Sequence, residues 1–377
     1  MKGFHFELVH TSKKSRARAG RIHTPHGIIE TPNFVGVGTN GTLKALDNSA
    51  AHQIGLQLMF CNTYHLLLQP GTHVVKLAGG LHRYINRSAP IITDSGGFQV
   101  FSLAYGSVAD ELKSKGTKKQ GGGHVLKITE EGVLFRSYRD GAKVTLTPES
   151  SIAAQKDLGA DIIIAFDELP PYHISHNALQ KSLERTHRWE ERSLKAHLAN
   201  VNGQALYAVI HGGVDLGLRK TSCDFLTALA FDGFAIGGSM GKTKMEMHAM
   251  LSALLPQLPL DKPNHLLGIG DLESLHLTIP LGIDTFDSSY PTRAARHGIL
   301  LTQNGPLKIT KKSHATALAP PEEGCECPTC RSFTLAYMHH LFKANELAGL
   351  SLATAHNLHF MVKFMQTIRH QILHDEI

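Results

Sequence analysis

Three largely apolar runs in this chain end on an aspartate: 91–93 at Asp94, 162–166 at Asp167 and 283–286 at Asp287. Runs of this composition read as buried strands. A carboxylate at the end of a buried strand faces a low-dielectric cavity mouth and costs free energy unless it is paired. Three of them imply a site where acidic groups converge, and converging carboxylates are the means of acid–base and covalent catalysis. Any one of the three could instead cap the helix or turn that follows it, since Asp is a favoured N-cap.

A second group of reactive side chains lies near the end of the chain. Cys325-Glu326-Cys327-Pro328-Thr329-Cys330 places three thiols within six residues. Thiolates this close repel unless a soft cation sits among them, and Zn²⁺ suits such donors. A fourth ligand must come from elsewhere, with His356 and His359 as candidates. Three thiolates and one imidazole would close the coordination shell, so the ion would be structural, one per chain. Three free thiols in a reduced loop are the other reading. Cys61 and Cys223 stand alone in apolar or helical context and read as inert thiols.

Glycine pairs mark two strand ends. Asp94 is followed by Ser95-Gly96-Gly97-Phe98-Gln99, and Ala235-Ile236 by Gly237-Gly238. Such pairs permit close approach of a planar ligand and expose backbone N–H groups, and Phe98 could stack on an aromatic ring. A tight turn explains either pair equally well. The stretch from Asp287 through Tyr290-Pro291-Thr292-Arg293-Ala294-Ala295-Arg296 puts two arginines beside a strand-end carboxylate. Arg binds phosphate bidentately and Thr can add a hydrogen bond, although an exposed basic helix start would look the same.

Elements that could gather these groups recur along the chain. Eight short apolar runs lie at 33–38, 56–62, 91–94, 161–167, 205–211, 232–238, 265–270 and 283–287. Helical patterns fall between most of them, at 42–54, 149–158, 177–199, 215–230, 244–255 and 271–280. The alternation predicts an α/β fold, a (β/α)8 TIM barrel with its polar strand ends gathered at the carboxyl face. An open doubly wound sheet is the alternative, but no dinucleotide glycine fingerprint follows the first strand. Residues 4–9, 17–23 and 27–30 read as short strands that could plug the amino-terminal face. Residues 99–148 read as an insertion: a Lys- and Gly-rich loop at 113–123, then an antiparallel ribbon at 125–128, 132–137 and 142–146 with a turn at Asp140-Gly141. Residues 1–310 are assigned to the barrel. Residues 311–377 are assigned to a zinc-binding helical subdomain, with helices at 333–347 and 352–374.

Bulk properties narrow the class. A chain of 377 residues with 42% hydrophobic and 19% charged content can bury a large core and is not of disordered type. No apolar stretch reaches the length of a membrane span, and the amino terminus lacks a signal-peptide core, so a cytoplasmic location is the expectation. A net charge of +6 is compatible with a polyanionic partner without requiring one.

With these residues in place, the sequence resembles the queuine tRNA-ribosyltransferases, or tRNA-guanine transglycosylases, of bacterial type. The resemblance runs from Thr31-Pro32 to the last helix. It is carried by Asn62-Thr63-Tyr64-His65-Leu66, Thr93 to Gln99, Phe166-Asp167-Glu168, Gly212-Gly213, Ala235 to Gly238, Gly268-Ile269-Gly270, Phe286-Asp287, Pro291-Thr292-Arg293 and the C-x-C-x2-C with a distant His. Family members replace guanine at the wobble position of tRNA anticodons by a 7-deazaguanine, without ATP. The resemblance implies that Asp287 is the nucleophile that attacks ribose C1′ and that Asp94 is the general acid/base. Two displacements then give retention. It implies a flipped nucleotide, with Asp94, Ser95, Gly96, Gly97, Phe98, Asp167, His211, Gly237 and Gly238 around the base. It also implies RNA contacts at Gly268, Ile269, Gly270, Asp271, Leu272, Glu273 and Ser274, and at Thr292, Arg293, Ala294, Ala295 and Arg296. It selects His356 over His359 as the fourth ligand to Zn²⁺. The implied partners are tRNA with a GUN anticodon, free queuine or preQ1, and a second copy of the chain; no membrane is implied.

Four positions depart from the family pattern. His211 replaces a Gln, Leu169-Pro170 replaces Cys-Thr, Leu267 replaces a Met, and Gly238-Ser239-Met240-Gly241-Lys242-Thr243 replaces a stretch that ends in Glu. A neutral imidazole can still donate one hydrogen bond to a purine O6. Loss of the Glu, a nearby Lys242 and the small Gly241 together favour the larger queuine over aminomethyl preQ1. The other reading is that Gly241 merely eases a local turn, with Leu169 or Met240 refilling the space. A non-catalytic accessory subunit is the alternative of another class, but both Asp94 and Asp287 are present. A barrel metallohydrolase would need strand-end ligand clusters that the sequence lacks, and the archaeal enzymes usually carry extra carboxy-terminal domains.

Overall fold

The computed structural model describes residues 3–105 and 125–377; the expected loop at 113–123 lies outside them. Sixteen strands are formed by the described residues. Three of them, β1 (His5–Thr11), β2 (Arg18–Thr24) and β3 (Gly27–Thr31), make an antiparallel sheet. Eight more close a parallel barrel: β4 (Asn33–Val37), β5 (Met59–Cys61), β6 (Ile91–Thr93), β10 (Ile162–Ile164), β11 (Ala205–Ile210), β12 (Gly233–Ile236), β13 (Asn264–Leu266) and β14 (Thr285–Ser288). Between β6 and β10 the chain adds the ribbon β7 (Val125–Ile128), β8 (Val133–Arg136) and β9 (Lys143–Leu146). The hairpin β15 (Ile299–Thr302) and β16 (Gly305–Lys308) follows the barrel. The expected TIM barrel with added antiparallel strands is therefore present.

Side-chain alternation along the short strands builds two cores at once. Val35, Phe60, Ile92, Ile162, Ile164, Tyr207, Val209 and Ala235 point inward and pack together. Their sequence neighbours, among them Phe34, Met59, Ile91, Ile163, Leu206, Ala208, Phe234 and Ile236, pack outward against the helices. Both faces of each strand are buried, so the strands read as continuous apolar runs rather than alternating ones. Ile22 and Ile29 of the amino-terminal sheet join the inner cluster, with Phe4 and Phe6 packed on it, and so fill one end of the barrel. Two buried polar nodes pin that end. Arg18 grips Asp284 with Nε at 3.0 Å and Nη2 at 2.5 Å, and its remaining donors reach the Leu260 and Lys262 carbonyls. Asp161 accepts from His26 Nδ1 at 2.7 Å and from the Ile91 N–H at 2.9 Å.

The ribbon is anchored by an aromatic cluster of Tyr64, Phe101, Phe135, Phe166 and Trp189. The Trp189 indole N–H donates to the Glu130 carbonyl at 2.8 Å, fixing the ribbon on the helix His176–Leu198. At the other end of the chain the 27-residue helix Leu347–Leu373 lies along β4 and the helix Tyr290–Arg296. Its Leu358, Met361, Met365, Ile368 and Ile372 belong to the outer core, and Arg369 donates to the carbonyls of Gly20 and Thr31.

Several expected boundaries move. The pattern at 42–54 yields only the helix Asn48–Gln53, because Ala45 takes a φ of 62° and Asp47 caps a later start through the Ala50 N–H. The carboxy-terminal pair is Leu335–Lys343 and Leu347–Leu373, divided at Asn345, whose φ of 57° is the left-handed stop of a helix. The hairpin β15–β16 is an addition to the expected elements; it turns at Gln303-Asn304, between the paired Thr302 and Gly305. Three short helices, Thr63–Leu68, Thr72–Leu77 and Leu81–Tyr84, fill the span between β5 and β6 where no pattern was read.

Candidate active site

The carboxyl ends of the barrel strands surround a cleft of about 510 Å³ lined by Asp94, Asp167 and Asp287 together. All three strand-end aspartates thus meet at one site. Asn62, Ser95, Phe98, Gln99, Gly237, Gly238, Gly268 and Arg293 share the lining.

Asp94 follows β6 and is buried. Its Oδ2 accepts from Asn62 Nδ2 at 2.6 Å and from Gln99 Nε2 at 2.7 Å, and its Oδ1 accepts from the Thr63 N–H at 2.7 Å. Burial raises its pKa to about 6 despite these donors, which pull the other way. The result is a carboxyl able to give and take a proton near neutrality. Asp287 lies in β14, two residues beyond Thr285 and hence on the same face. Its Oδ1 is 3.1 Å from His265 Nε2 and accepts from the Gly268 N–H at 2.8 Å.

Asp167 accepts from Ser95 Oγ at 3.1 Å and sits 2.7 Å from His211 Nε2. Behind it is Glu190, fully buried on the helix His176–Leu198, which accepts from the Val209 N–H at 3.0 Å. Burial, with Asp167 adding to it, pushes the Glu190 carboxyl well above the usual range. The glycines fit tightly. A Cβ on Gly97 would lie 2.8 Å from the Asp167 carbonyl oxygen. Gly238 has a φ of 79°, and a Cβ there would lie 2.7 Å from His211 Nδ1. Phe98 stands at the mouth, 55% exposed, in the helix Gly97–Tyr105.

A family model described as queuine tRNA-ribosyltransferase matches residues 12–377. The chain belongs to that family. It is 74% identical over 374 residues to a queuine tRNA-ribosyltransferase of Protochlamydia amoebophila, covering 99% of this chain and 96% of that one. It is 54% identical to the Chlamydia caviae protein of the same name, and 53% to that of Chlamydia trachomatis, with 99% of each chain covered.

Around this cleft the remaining residues singled out from the sequence fall into distinct settings. Gly268 and Arg293 line it. Asp271 caps the helix Leu272–Thr278 through the Ser274 N–H, and Lys244 binds both Asp271 and Glu273 at 2.6 Å. Leu272 and Ile269 pack on the outer core, and a Cβ on Gly270 would strike Ser288. Thr292, Ala294 and Ala295 are buried, whereas Arg293 and Arg296 keep exposed surface. Gly241 does not line the cleft: its φ is 101°, and a Cβ there would lie 2.8 Å from Glu246 Oε2. Glu246 also accepts from the Lys242 N–H at 2.6 Å, so this stretch does hold a carboxylate, supplied from four residues further on. Both facts favour the local-turn reading of Gly241.

Three polar groups of the site were not assigned from the sequence. Asn62 and Gln99 hold Asp94, and His265 faces Asp287. Asn62 ends an apolar run as the aspartates do and opens one of the motifs that carry the resemblance, but neither signal assigns it a role. A fourth, Arg219, is buried with no carboxylate partner among the described residues, donating to the carbonyls of Ile210, Gly213 and Ser239 at 2.6, 2.8 and 3.1 Å. It fixes the loop carrying Gly238.

Away from the cleft, Cys325, Cys327, Cys330 and His356 converge, their ligand atoms all within 4.8 Å of one another. His356 Nδ1 lies 3.8, 3.5 and 3.3 Å from the three sulfurs. A tetrahedral ion with bonds of about 2.3 Å to sulfur and 2.0 Å to nitrogen separates those atoms by about 3.5 Å, so the cluster fits one metal ion. His356 Nε2 meets the Leu301 carbonyl at 2.9 Å, which orients the ring as a ligand. His359 is not in the cluster. The other close group of ligand-type side chains among the described residues is His26, His82 and Asp161. Its two imidazoles stack in parallel, 3.5 Å between centroids and 11° apart, which does not aim two nitrogens at one ion.

Proposed function

We propose that this chain is a pentosyltransferase that exchanges guanine at the wobble position of tRNAs with a GUN anticodon for a 7-deazaguanine, within queuosine modification. The observation that carries the reading is the convergence on one cleft of a buried proton-exchanging carboxyl, Asp94, and a carboxylate held by donors on one oxygen, Asp287. Asp287 attacks ribose C1′ and guanine departs, leaving a covalent ribosyl-enzyme; Asp94 carries the proton between leaving and entering bases. Asp167 accepts from the base N1–H and amino group, His211 and the Gly238 N–H serve its other edge, and Phe98 stacks on it. Ser95, Gly96, Gly97 and Gly237 shape the slot. The segments 268–274 and 292–296 hold the RNA, with Arg293 and Arg296 as its cationic contacts. Because His211 already binds Asp167, the arriving base must displace that contact.

The entering base is queuine, with preQ1 as the second candidate. A further hollow of about 240 Å³ meets the cleft at Gly238 and is lined by His211, Tyr172, Ile174 and Leu179, which gives room for a large substituent. The Cys3His cluster holds one structural Zn²⁺ that ties the carboxy-terminal segment, 311–377, to the barrel, 1–310. A homodimer acting in the cytoplasm is the arrangement in keeping with the family. No described helix is long and apolar enough to cross a membrane.

Incubating tRNA with enzyme and each free base, then weighing the wobble nucleoside by mass spectrometry, tests the reading. The wobble guanosine should gain the mass of the deazaguanine exchange. Unchanged tRNA with every base would overturn the proposal, and a higher kcat/KM for preQ1 than for queuine would overturn the choice of base.

A further inference from the structure

His265 lies in β13 with no exposed surface and with the Phe60 ring 5.9 Å away. Its strand register sets it beside Thr285 of β14. Its Nδ1 is 2.8 Å from Thr285 Oγ1, and its Nε2 is 3.1 Å from Asp287 Oδ1. The Gly268 N–H meets that same oxygen at 2.8 Å. No hydrogen bond reaches Asp287 Oδ2 from the described residues. One carboxylate oxygen is therefore gripped twice while the other is left for the cleft.

We infer that His265, oriented by Thr285, is a positioning residue for the nucleophile that selects Oδ2 as the attacking oxygen and assists its departure in the second half-reaction. The inference rests on the base-exchange reading of the cleft.

The proton arrangement follows from counting donors. A neutral imidazole has one N–H, and a carboxylate only accepts. For a neutral ring to donate to Asp287, the proton must sit on Nε2, and Nδ1 must accept. Thr285 has the one hydroxyl proton that can satisfy Nδ1, and its oxygen is also 3.2 Å from the Asn264 carbonyl. Donation to Nδ1 at the shorter distance fixes the tautomer that grips Oδ1.

This arrangement acts unequally on the two halves of the reaction. In the first, Oδ2 bonds to C1′ as the bond from C1′ to guanine N9 breaks; the electron pair leaves with guanine, which takes a proton from Asp94. The carboxylate charge is consumed, and Oδ1 becomes an ester carbonyl. In the second, the entering base gives its N9 proton to Asp94 and bonds to C1′ as the C1′–Oδ2 bond breaks. The electron pair returns to the carboxylate, and charge builds again on Oδ1, where the two donors wait. Donors bind a carboxylate oxygen more strongly than an ester carbonyl, so they favour the leaving step and weigh against the covalent state.

The test is the fraction of bound tRNA held covalently on denaturing gels after released guanine is removed, together with guanine-exchange kinetics. His265→Phe keeps a flat ring but lacks the donor. It should lower kcat by about 10- to 100-fold, the worth of one hydrogen bond to a charged acceptor. The covalent fraction should rise above that of the wild type as turnover falls. His265→Gln, which restores an N–H donor, should recover turnover and lower the covalent fraction again. Thr285→Val, which preserves shape and removes the hydroxyl, should shift the fraction the same way as His265→Phe, and it serves where the His variant does not fold. A merely structural role would lower adduct and turnover together. A covalent fraction unchanged or reduced in folded His265→Phe or Thr285→Val would overturn the inference. Absence of any adduct in the wild type would instead overturn the base-exchange reading itself.

Discussion

If Asp94 carries the proton between the two bases, the two second-order constants of the reaction should depend on pH in opposite ways. Protonated Asp94 is needed when guanine leaves, and ionised Asp94 when the new base enters. With burial raising its pKa to about 6, the carboxyl is about one-tenth protonated at pH 7. A carboxyl at its ordinary pKa would hold its proton in fewer than about one molecule in a thousand at that pH. Desolvation thus gives the site about a hundredfold more of the acid form, while most molecules retain the base form. The kcat/KM for tRNA should therefore fall about tenfold per unit as pH rises above 6, and the kcat/KM for the free base should fall similarly as pH drops below 6. Asn62→Ala removes the donor 2.6 Å from Oδ2, one of the groups holding the pKa down. A hydrogen bond to a charged acceptor is worth about 1.5–3 kcal/mol, so both limbs should move up by about one to two pH units. Initial rates with labelled guanine and labelled queuine from pH 5 to 8.5, with circular dichroism to confirm folding, measure both limbs. A tRNA limb that is flat across that range, or an Asn62→Ala profile unmoved from that of the wild type, would refute the assignment of Asp94.

Asp287→Asn should bind tRNA yet yield no covalent adduct on a denaturing gel; a persisting adduct would move the nucleophile elsewhere. Purified protein should contain about one zinc per chain by elemental analysis, and Cys327→Ser should lose it and melt at a lower temperature, because the binding energy of a structural zinc is folding energy. Arg18→Ala should destabilise the fold by about 3–5 kcal/mol in denaturant titration, since it strands Asp284 as an uncompensated buried charge; a loss under about 1 kcal/mol would contradict that account.

The parts of the site legible in the sequence were those attached to strand ends. Asp94, Asp167 and Asp287 each close an apolar run, and a barrel brings the ends of all its strands to one face. Three thiols within six residues announce a metal site, but which His completes it depends on where a long helix passes the loop, which spacing alone does not fix; the family resemblance selects His356. The pattern at 42–54 extends beyond the folded helix Asn48–Gln53 because local periodicity does not register the left-handed turn at Ala45. His265 stayed hidden for a related reason. It occupies a strand position whose inward direction, and whose pairing with Thr285, depend on register between β13 and β14.

Gly241 and Glu246 carry the same lesson into substrate choice. Read along the chain, the stretch after Gly238 has lost its carboxylate and gained Lys242. Folded, the first turn of the helix Lys244–Leu254 brings Glu246 back onto the Lys242 N–H, and Lys242 Nζ lies 5.2 Å from the Tyr172 ring centroid instead of pairing with that carboxylate. The surroundings of Lys242 are thus set by contacts four and seventy residues apart, which one-dimensional comparison of a short stretch cannot weigh. The hollow proposed for the base substituent is likewise bounded by Tyr172, Ile174 and Leu179, from a loop and helix that precede the glycine pair by about sixty residues. If the substituent enters that hollow, selection between a small and a large deazaguanine follows from how the loop at 169–174 folds against Gly238, more than from any residue at Gly241.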